Sequence, residues 1–98
     1  MITTKQRAVL RGLANTLDPV LQIGKEGITE NTWTEIENLF EARELFKIKV
    51  LKNCDDEPRE LAGLIQEKTN CEIVQCIGNK LVVYKKSTRK NFKHIELI

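Results

Sequence analysis

Residues 20–51 read VLQIGKEGITENTWTEIENLFEARELFKIKVL, which predicts a strand, a helix and a second strand in succession. The first strand covers residues 20–23, directly after an Asp-Pro step that ends the preceding helix. The second covers residues 45–51, where apolar side chains alternate with lysines at a period of two. The alternation predicts that Lys47 and Lys49 lie on the face away from the core. The side chains directed to the core are then Phe46, Ile48 and Val50.

The helix between these strands begins after Thr29, a residue type suited to the N-cap. Ile28, just before the cap, can pack on Trp33 at the fourth helical position, as in a hydrophobic staple. Helical spacing predicts a buried stripe that consists of Trp33, Ile36, Leu39 and Phe40. The opposite flank is acidic and carries Glu30, Glu37 and Glu41.

A first helix precedes this unit, and a third helix follows it. Thr3 and Gln6 have the spacing of a capping box at the first helix. Its predicted core stripe consists of Val9, Leu10, Leu13, Ala14 and Leu17. The sequence DDEP at residues 55–58 predicts the third helix start, because acids suit the positive end of the dipole and proline suits the first turn. Asn70 can end this helix in a left-handed conformation.

Two further strands, at residues 71–77 and 80–86, are joined by a Gly78-Asn79 hairpin turn. The order is therefore αβαβαββ, which predicts an α/β fold with a four-stranded mixed sheet packed with three helices. Residues 1–98 are expected to form a single domain, with its core at about residues 4–86 and a basic tail at residues 87–98.

Composition excludes several classes of protein. Hydrophobic residues make up 41% and charged residues 31% of the chain, as in ordinary globular domains. No apolar run approaches the ~18 residues that span a bilayer, and the N-terminus lacks a secretory pattern. Three cysteines without a CxxC pair, Cys54, Cys71 and Cys76, indicate reduced thiols rather than a metal or redox site. Five positions apart on one strand, Cys71 and Cys76 would face opposite sides. We therefore expect a cytoplasmic protein without membrane contact.

Charge is segregated along the chain although the net charge is only +2. The first 17 residues and residues 79–95 contain no acid, whereas residues 26–44 are strongly acidic. If the basic ends meet, the molecule has a positive and a negative face, and the positive face suits a polyanion. The alternative is that these runs are only solvated surface.

Catalysis has little support in the sequence. The single histidine, His94, has no nucleophile pattern near it. The acids at residues 55–60 are more typical of helix capping than of a metal cluster, and no nucleotide-type glycine motif is present. We expect no enzyme activity, no catalytic residue, no metal and no cofactor.

The GKEG turn at residues 24–27 is the most distinctive local feature. Its two glycines let the backbone approach a ligand closely, and the following helix N-terminus can bind phosphate. Taken alone, a GxxG could also be a simple strand-to-helix turn. The aromatic residues fall mostly on apolar stripes, with Tyr84 half-buried, which favours recognition of nucleic acid through its backbone and shape rather than by base stacking.

Several separate segments resemble a known family. LRGLAN, the Leu17-Asp18-Pro19 step, IGKEGIT, EIENLFEARELFKIKV and IGNKLVVYKK resemble the YhbY-like single CRM domain, in matching order from about residue 4 to residue 86. The resemblance implies an RNA-binding domain whose fold is related to the C-terminal domain of bacterial initiation factor three. Stand-alone members of the family are associated with precursors of the large ribosomal subunit.

The resemblance also implies a site. The family's GxxG loop corresponds to Gly24, Lys25, Glu26 and Gly27. Its basic surface corresponds to Lys5, Arg7 and Arg11 on the first helix and to Lys85 and Lys86 at the last strand. Two departures weaken phosphate binding: Glu26 adds an acid to the loop, and Lys85 stands where the family usually has arginine, whose bidentate fork it lacks.

The sequence thus predicts a monomeric RNA-binding protein that acts on ribosomal RNA in assembly of the large subunit, with single-stranded loops and helical phosphates both open as targets. In that arrangement Arg7 and Arg11 flank the GxxG loop. The alternative is a protein-interaction adaptor that docks on basic ribosomal proteins through its acidic second helix.

Overall fold

The computed structural model describes residues 2–90 and 92–96. The chain forms three helices and a four-stranded mixed sheet in the predicted order αβαβαββ. In chain order the elements are α1 (Thr4–Ala14), β1 (Leu21–Ile23), α2 (Glu30–Arg43), β2 (Leu45–Val50), α3 (Pro58–Thr69), β3 (Glu72–Ile77) and β4 (Lys80–Tyr84).

The strands lie in the order β1-β2-β4-β3, so β1 and β3 form the two edges of the sheet. β1 runs parallel to β2, and the other neighbours are antiparallel. The loop after β1 is therefore at the same end of the sheet as the C-terminus of β2 and the hairpin between β3 and β4. The N-terminus of β2 and the C-terminus of β4 lie at the other end.

The main core lies between the sheet and the two helices α2 and α3. Ile36 and Phe40 of α2 and Leu61 and Ile65 of α3 are buried against the sheet. The strand residues that meet them include the predicted inward set Phe46, Ile48 and Val50. The rings of Phe40 and Phe46 lie 4.9 Å apart in a tilted arrangement, which is favourable for aromatic pairs.

Helix α1 packs on the opposite face of the sheet and covers only part of it. Leu10 and Ala14 form a second buried cluster with strand residues that include Leu45 and Tyr84, at the end where β2 begins and β4 ends. Leu13 was predicted in the core stripe but is 45% exposed. Tyr84 was predicted to be half-buried but is buried, because α1 covers it.

The helix ends follow the predicted local chemistry. Thr3 accepts a hydrogen bond from the Gln6 amide while the Gln6 side chain accepts one from Thr3, which completes the capping box. Thr29 caps α2 by accepting from the amide of Thr32. Asn70 ends α3 in the left-handed region with φ of 60°. Glu57 occupies the N-cap of α3 but makes no side-chain hydrogen bond there.

A bulge in β3 changes the predicted placement of the cysteines. The register with β4 shifts between Ile73 and Gln75, which adds a residue to β3 and breaks its strict alternation. Cys71, just before the strand, is buried in the main core, and Cys76 packs against the same cluster rather than on the opposite face. In the part of the chain that the structure describes, no group of three or more His, Cys, Asp or Glu residues could hold a metal ion.

Trp33 is half-buried, which corrects its predicted place in the core stripe of α2. Together with Ile28 it packs against the margin of the main core. The ammonium of Lys68 on α3 lies 5.7 Å from the ring centroid, so the ring forms part of the helix surface. Leu39 is also only half-buried, so Ile36 and Phe40 make the buried contacts of α2.

The tail is attached to the end of α2. Glu41, which was predicted on the exposed acidic flank, accepts hydrogen bonds from the side chains of Ser87 and Thr88 and from the Thr88 amide. Ile95 packs against the cluster under α1, together with Ile2 near the N-terminus. The two basic ends of the chain therefore meet. Among the described residues, no helix is long and apolar enough to cross a membrane.

Candidate nucleic-acid interface

The GKEG sequence forms a tight turn between β1 and α2. The amide of Gly27 donates to the carbonyl oxygen of Gly24 at 2.9 Å, and Gly27 has a φ of +67° that strongly favours glycine. A Cβ on Gly24 would lie 3.4 Å from the Leu51 side chain, an ordinary contact. Lys25 and Glu26 occupy the exposed tip of the turn. The backbone, rather than these side chains, fixes the shape of the loop.

A depression of about 280 Å³ lies beside this loop. Besides the loop it is lined by Gln22 of β1 and by Thr29 and Thr32 at the start of α2. The two threonine hydroxyls are hydrogen-bonded at 3.0 Å. The positive end of the α2 dipole therefore lies next to the loop, which is the local chemistry that favours phosphate.

Gln22 connects the depression to a row of side chains across the open part of the sheet. In register, Gln22 is paired with Lys49, Lys49 with Lys80, and Lys80 with Ile77. We call these four residues the lysine row. Since the neighbours of Lys49 on β2, Ile48 and Val50, point into the main core, the row lies on the face of the sheet away from α2 and α3.

The lysine row concentrates positive charge without internal compensation. Lys49 and Lys80 are directly opposite on antiparallel strands, where like charges are destabilising. Lys47 lies on the same face, two residues from Lys49 on β2. Within residues 2–90 and 92–96, neither these three lysines nor Lys25 forms an ion pair. Their charge is therefore available to an external anion.

Helix α1 extends this positive surface. It packs on the same side of the sheet, exposes Lys5 and Arg11, and contains no acid. We call the lysine row together with Lys5, Arg11, Lys25 and Lys47 the basic face. The other side of the sheet carries α2 and α3, whose exposed acids are Glu30, Glu35, Glu37, Glu60 and Glu67. The segregation of charge along the sequence thus becomes two opposite faces of the molecule.

Arg7 does not flank the GxxG loop, which corrects the predicted arrangement. Its guanidinium donates to the carbonyl oxygen of Ile73 and lies 3.8 Å from the carboxylate of Glu72. Both partners belong to β3, at the edge of the sheet opposite to β1. The Ile2 amide also donates to Glu72, so the N-terminal end of α1 is attached to β3 rather than to the loop. Arg7 therefore anchors α1 to the sheet.

Lys85 also lies apart from the loop. It borders a cavity with Glu37 and Glu41 on the side of α2, because Tyr84 points towards α1 and the next side chain points the other way. Its amide donates to the carbonyl oxygen of Glu44 at 3.0 Å. Lys86 follows at an exposed position near the same end of the sheet. The structure thus brings together Gly24, Lys25, Glu26 and Gly27 but places Arg7, Lys85 and Lys86 at the far end of the sheet.

The lysines of the sheet were absent from the site predicted from the sequence. The alternation in residues 45–51 already placed Lys47 and Lys49 on the face away from the core. What the sequence did not show is that α1 leaves this part of the face open, or that Lys80 lies opposite Lys49. Both facts depend on strand pairing between segments about thirty residues apart in sequence.

Relatives of known name share the whole chain. The probable RNA-binding protein YqeI of Bacillus subtilis is 41% identical over 97 residues, which cover 99% of each chain. An RNA-binding protein of Haemophilus influenzae is 41% identical over 87 residues, which cover 88% of this chain and 87% of the relative.

The fold is shared as well. The solution structure of a hypothetical protein from Staphylococcus aureus, described as a candidate RNA-binding protein, superimposes with a TM-score of 0.78 over 100% of both chains at 45% identity. Residues 2–85 match the CRS1 / YhbY (CRM) domain family, a range that contains the loop, the lysine row and every helix and strand described above. The chain therefore belongs to the CRS1 / YhbY (CRM) domain family.

Proposed function

We propose that this protein binds ribosomal RNA during assembly of the large ribosomal subunit, acting in the cytoplasm as a monomer. The observation that carries the proposal is the lysine row, which continues the GxxG loop across an open sheet face with no compensating acid. The names of the relatives from Bacillus subtilis and Haemophilus influenzae support RNA as the ligand. The resemblance to stand-alone YhbY-like domains supports the ribosomal part.

The proposed contacts are to phosphates. Lys25 holds a phosphate at the tip of the GxxG loop, where backbone amides and the start of α2 add favourable partial charge. Lys49 and Lys80, whose Cβ atoms are about 5 Å apart in such a pair, hold a second phosphate between them. A bound phosphate would replace the repulsion between these two ammonium groups with attraction to each, which favours the bound state.

Recognition through the backbone is consistent with the positions of the aromatic residues. Phe40, Phe46 and Tyr84 are buried, Trp33 lies between α2 and α3, and Phe92 is in the tail. These are all five aromatic residues of the chain, and none projects from the lysine row. Stacking of unpaired bases, which RNA-binding sheets commonly use, is therefore not the means of binding at this surface.

The proposal is tested by sedimentation with ribosomal particles. The wild-type protein should comigrate with precursors of the large subunit and be released by nuclease. A variant with Lys25, Lys49 and Lys80 all changed to Ala should remain in the unbound fraction, because three phosphate contacts are lost. Lys68→Ala, a lysine of the acidic side, is the matched control and should bind as wild type. If the triple variant still comigrates, the basic face is not the RNA-binding surface.

A further inference from the structure

A shallow groove on the acidic side contains the largest accessible apolar surface of the two helices. It is lined by Trp33 of α2 and by Leu64, Glu67 and Lys68 of α3. Leu64 is 50% exposed although it lies on a helix that packs against the main core. We call this feature the α2–α3 groove. Its position, on the side of the sheet opposite to the lysine row, separates it from the proposed RNA contacts.

Four glutamates frame the groove through helical spacing. On α2, Glu30 and Glu37 lie three residues before and four residues after Trp33, on the same flank of the helix. On α3, Glu60 and Glu67 have the corresponding relation to Leu64. All four are exposed. An apolar floor with an acidic rim repels a polyanion and attracts a cation that carries apolar side chains.

The groove already shows how it accommodates a positive charge. The ammonium of Lys68 lies 5.7 Å from the centroid of the Trp33 ring, within the range of a cation–π contact. Among the described residues that line the groove, Lys68 is the single cation, against the four glutamates of the rim. Net negative charge therefore remains around the apolar floor.

We propose that the α2–α3 groove binds a lysine- or arginine-rich segment of a partner protein, with one apolar side chain of that segment packed between Trp33 and Leu64. The rim glutamates pair with the flanking basic residues, and the apolar contact sets the register. This binding does not depend on the proposed RNA contacts. Since the two surfaces lie on opposite sides of the sheet, one molecule can hold RNA on one side and a basic protein segment on the other.

The groove can be tested by fluorescence, because Trp33 is the only tryptophan of the chain. The probe is a short lysine-rich peptide with a central leucine, and its control has serine in place of leucine. In the absence of RNA, the leucine peptide should change the emission of Trp33 in a saturable manner and bind at least tenfold more tightly, roughly, than the serine peptide.

Variants locate the contact. Leu64→Ala, at an exposed position, and the double reversal Glu37→Lys with Glu67→Lys should each weaken the leucine peptide by roughly tenfold or more. Glu35→Lys is the matched control, because Glu35 lies on the other flank of α2, and Lys25→Ala is a second control on the basic face. Equal binding of both peptides, or equal losses for Glu35→Lys and the rim reversal, would show general attraction to an acidic surface and overturn the proposal.

Discussion

The carboxylate of Glu44 lies 2.5 Å from Nδ1 of His94, and its side chain is fully buried. The same carboxylate accepts hydrogen bonds from the amides of Ser87 and Ile95, at 2.7 and 2.8 Å. Glu44 itself is the C-cap of α2 and has a φ of 64°, which is unusual for a residue other than glycine. A strained helix end is thus occupied by one acid that holds both ends of the described tail.

Removing the charge of Glu44 should release this tail. Glu44→Gln keeps the size and the backbone conformation but cannot accept from all three donors, so part of the buried polar surface loses its partner. The expected loss is about 1–3 kcal/mol in the free energy of unfolding. Urea denaturation measures it, and amide exchange at Ser87 and Ile95 should become much faster. Glu37→Gln, an exposed acid of the same helix, should change neither quantity.

Acid should weaken the attachment of the tail within a defined range of pH. Hydrogen bonds from the Thr88 and Ser87 side chains and the Thr88 amide lower the pKa of Glu41 from 4.5 to about 2. Burial would raise the pKa of Glu44, but the hydrogen bonds from His94, Ser87 and Ile95 outweigh it and lower this pKa too.

Because both pKa values are lower in the folded than in the unfolded chain, the two carboxylates stabilise fully above pH 4.5. Their contribution is lost as the pH falls from 4.5 towards about 2. The amide resonances of Ser87 and Thr88 should report this transition. In Glu41→Gln the Thr88 amide should no longer titrate in that range. An unchanged Thr88 profile in this variant would mean that another group controls the tail.

The sequence predicted what depends on neighbours within a few residues. The capping box at Thr3, the cap at Thr29 and the left-handed Asn70 are local hydrogen-bonding and backbone preferences, and they occur as expected. The lysines of β2 face away from the core because strand geometry alternates. None of these features requires knowledge of which segments meet.

Features that depend on distant segments were not predictable in the same way. Arg7 could not be assigned to β3, because the direction in which α1 crosses the sheet is set by packing of Leu10 and Ala14. The bulge in β3 brings Cys71 and Cys76 to one cluster, against the simple alternation. The contact of Glu44 with His94 joins residues fifty positions apart, and no local pattern connects them.

Trp33 provides a stability test of the corrected core. A fully buried tryptophan would cost about 3–5 kcal/mol on truncation to alanine. Since Trp33 is half-buried, Trp33→Ala should cost less, about 1–3 kcal/mol in the free energy of unfolding. Phe46→Ala, at a residue that is 1% exposed, should cost about 3–5 kcal/mol. Urea denaturation followed by circular dichroism compares the two, and equal costs would place Trp33 in the core after all.

Glu26 weakens the loop as a phosphate site, if the proposed contact is correct. Its carboxylate is exposed at the tip of the turn, next to Lys25. Glu26→Lys should therefore tighten RNA binding, most clearly at low salt where screening is weak. Glu35→Lys makes the same charge change on α2 and serves as the control for net charge. If both variants tighten binding equally, the loop has no special part in the interaction.

The basic face makes a quantitative prediction about salt. Each phosphate contact releases counterions, so the slope of log affinity against log salt should fall by about 0.7–0.9 for each lysine removed. Lys25→Ala, Lys49→Ala and Lys80→Ala should each lower the slope by about that amount, and they should affect a ribosomal fragment and a scrambled RNA alike, because phosphates carry no sequence information.

Lys85→Ala distinguishes this geometry from the site predicted by family resemblance. Lys85 borders Glu37 and Glu41 on the acidic side, so its removal should change the salt slope much less than the removal of Lys80, only five residues earlier on the chain. The measurement is a salt titration of the four variants with one structured RNA. A loss for Lys85→Ala as large as that for Lys25→Ala, with Lys49→Ala and Lys80→Ala unchanged, would move the RNA to the end of the sheet near the tail. In that case the open lysine row would have no part in binding.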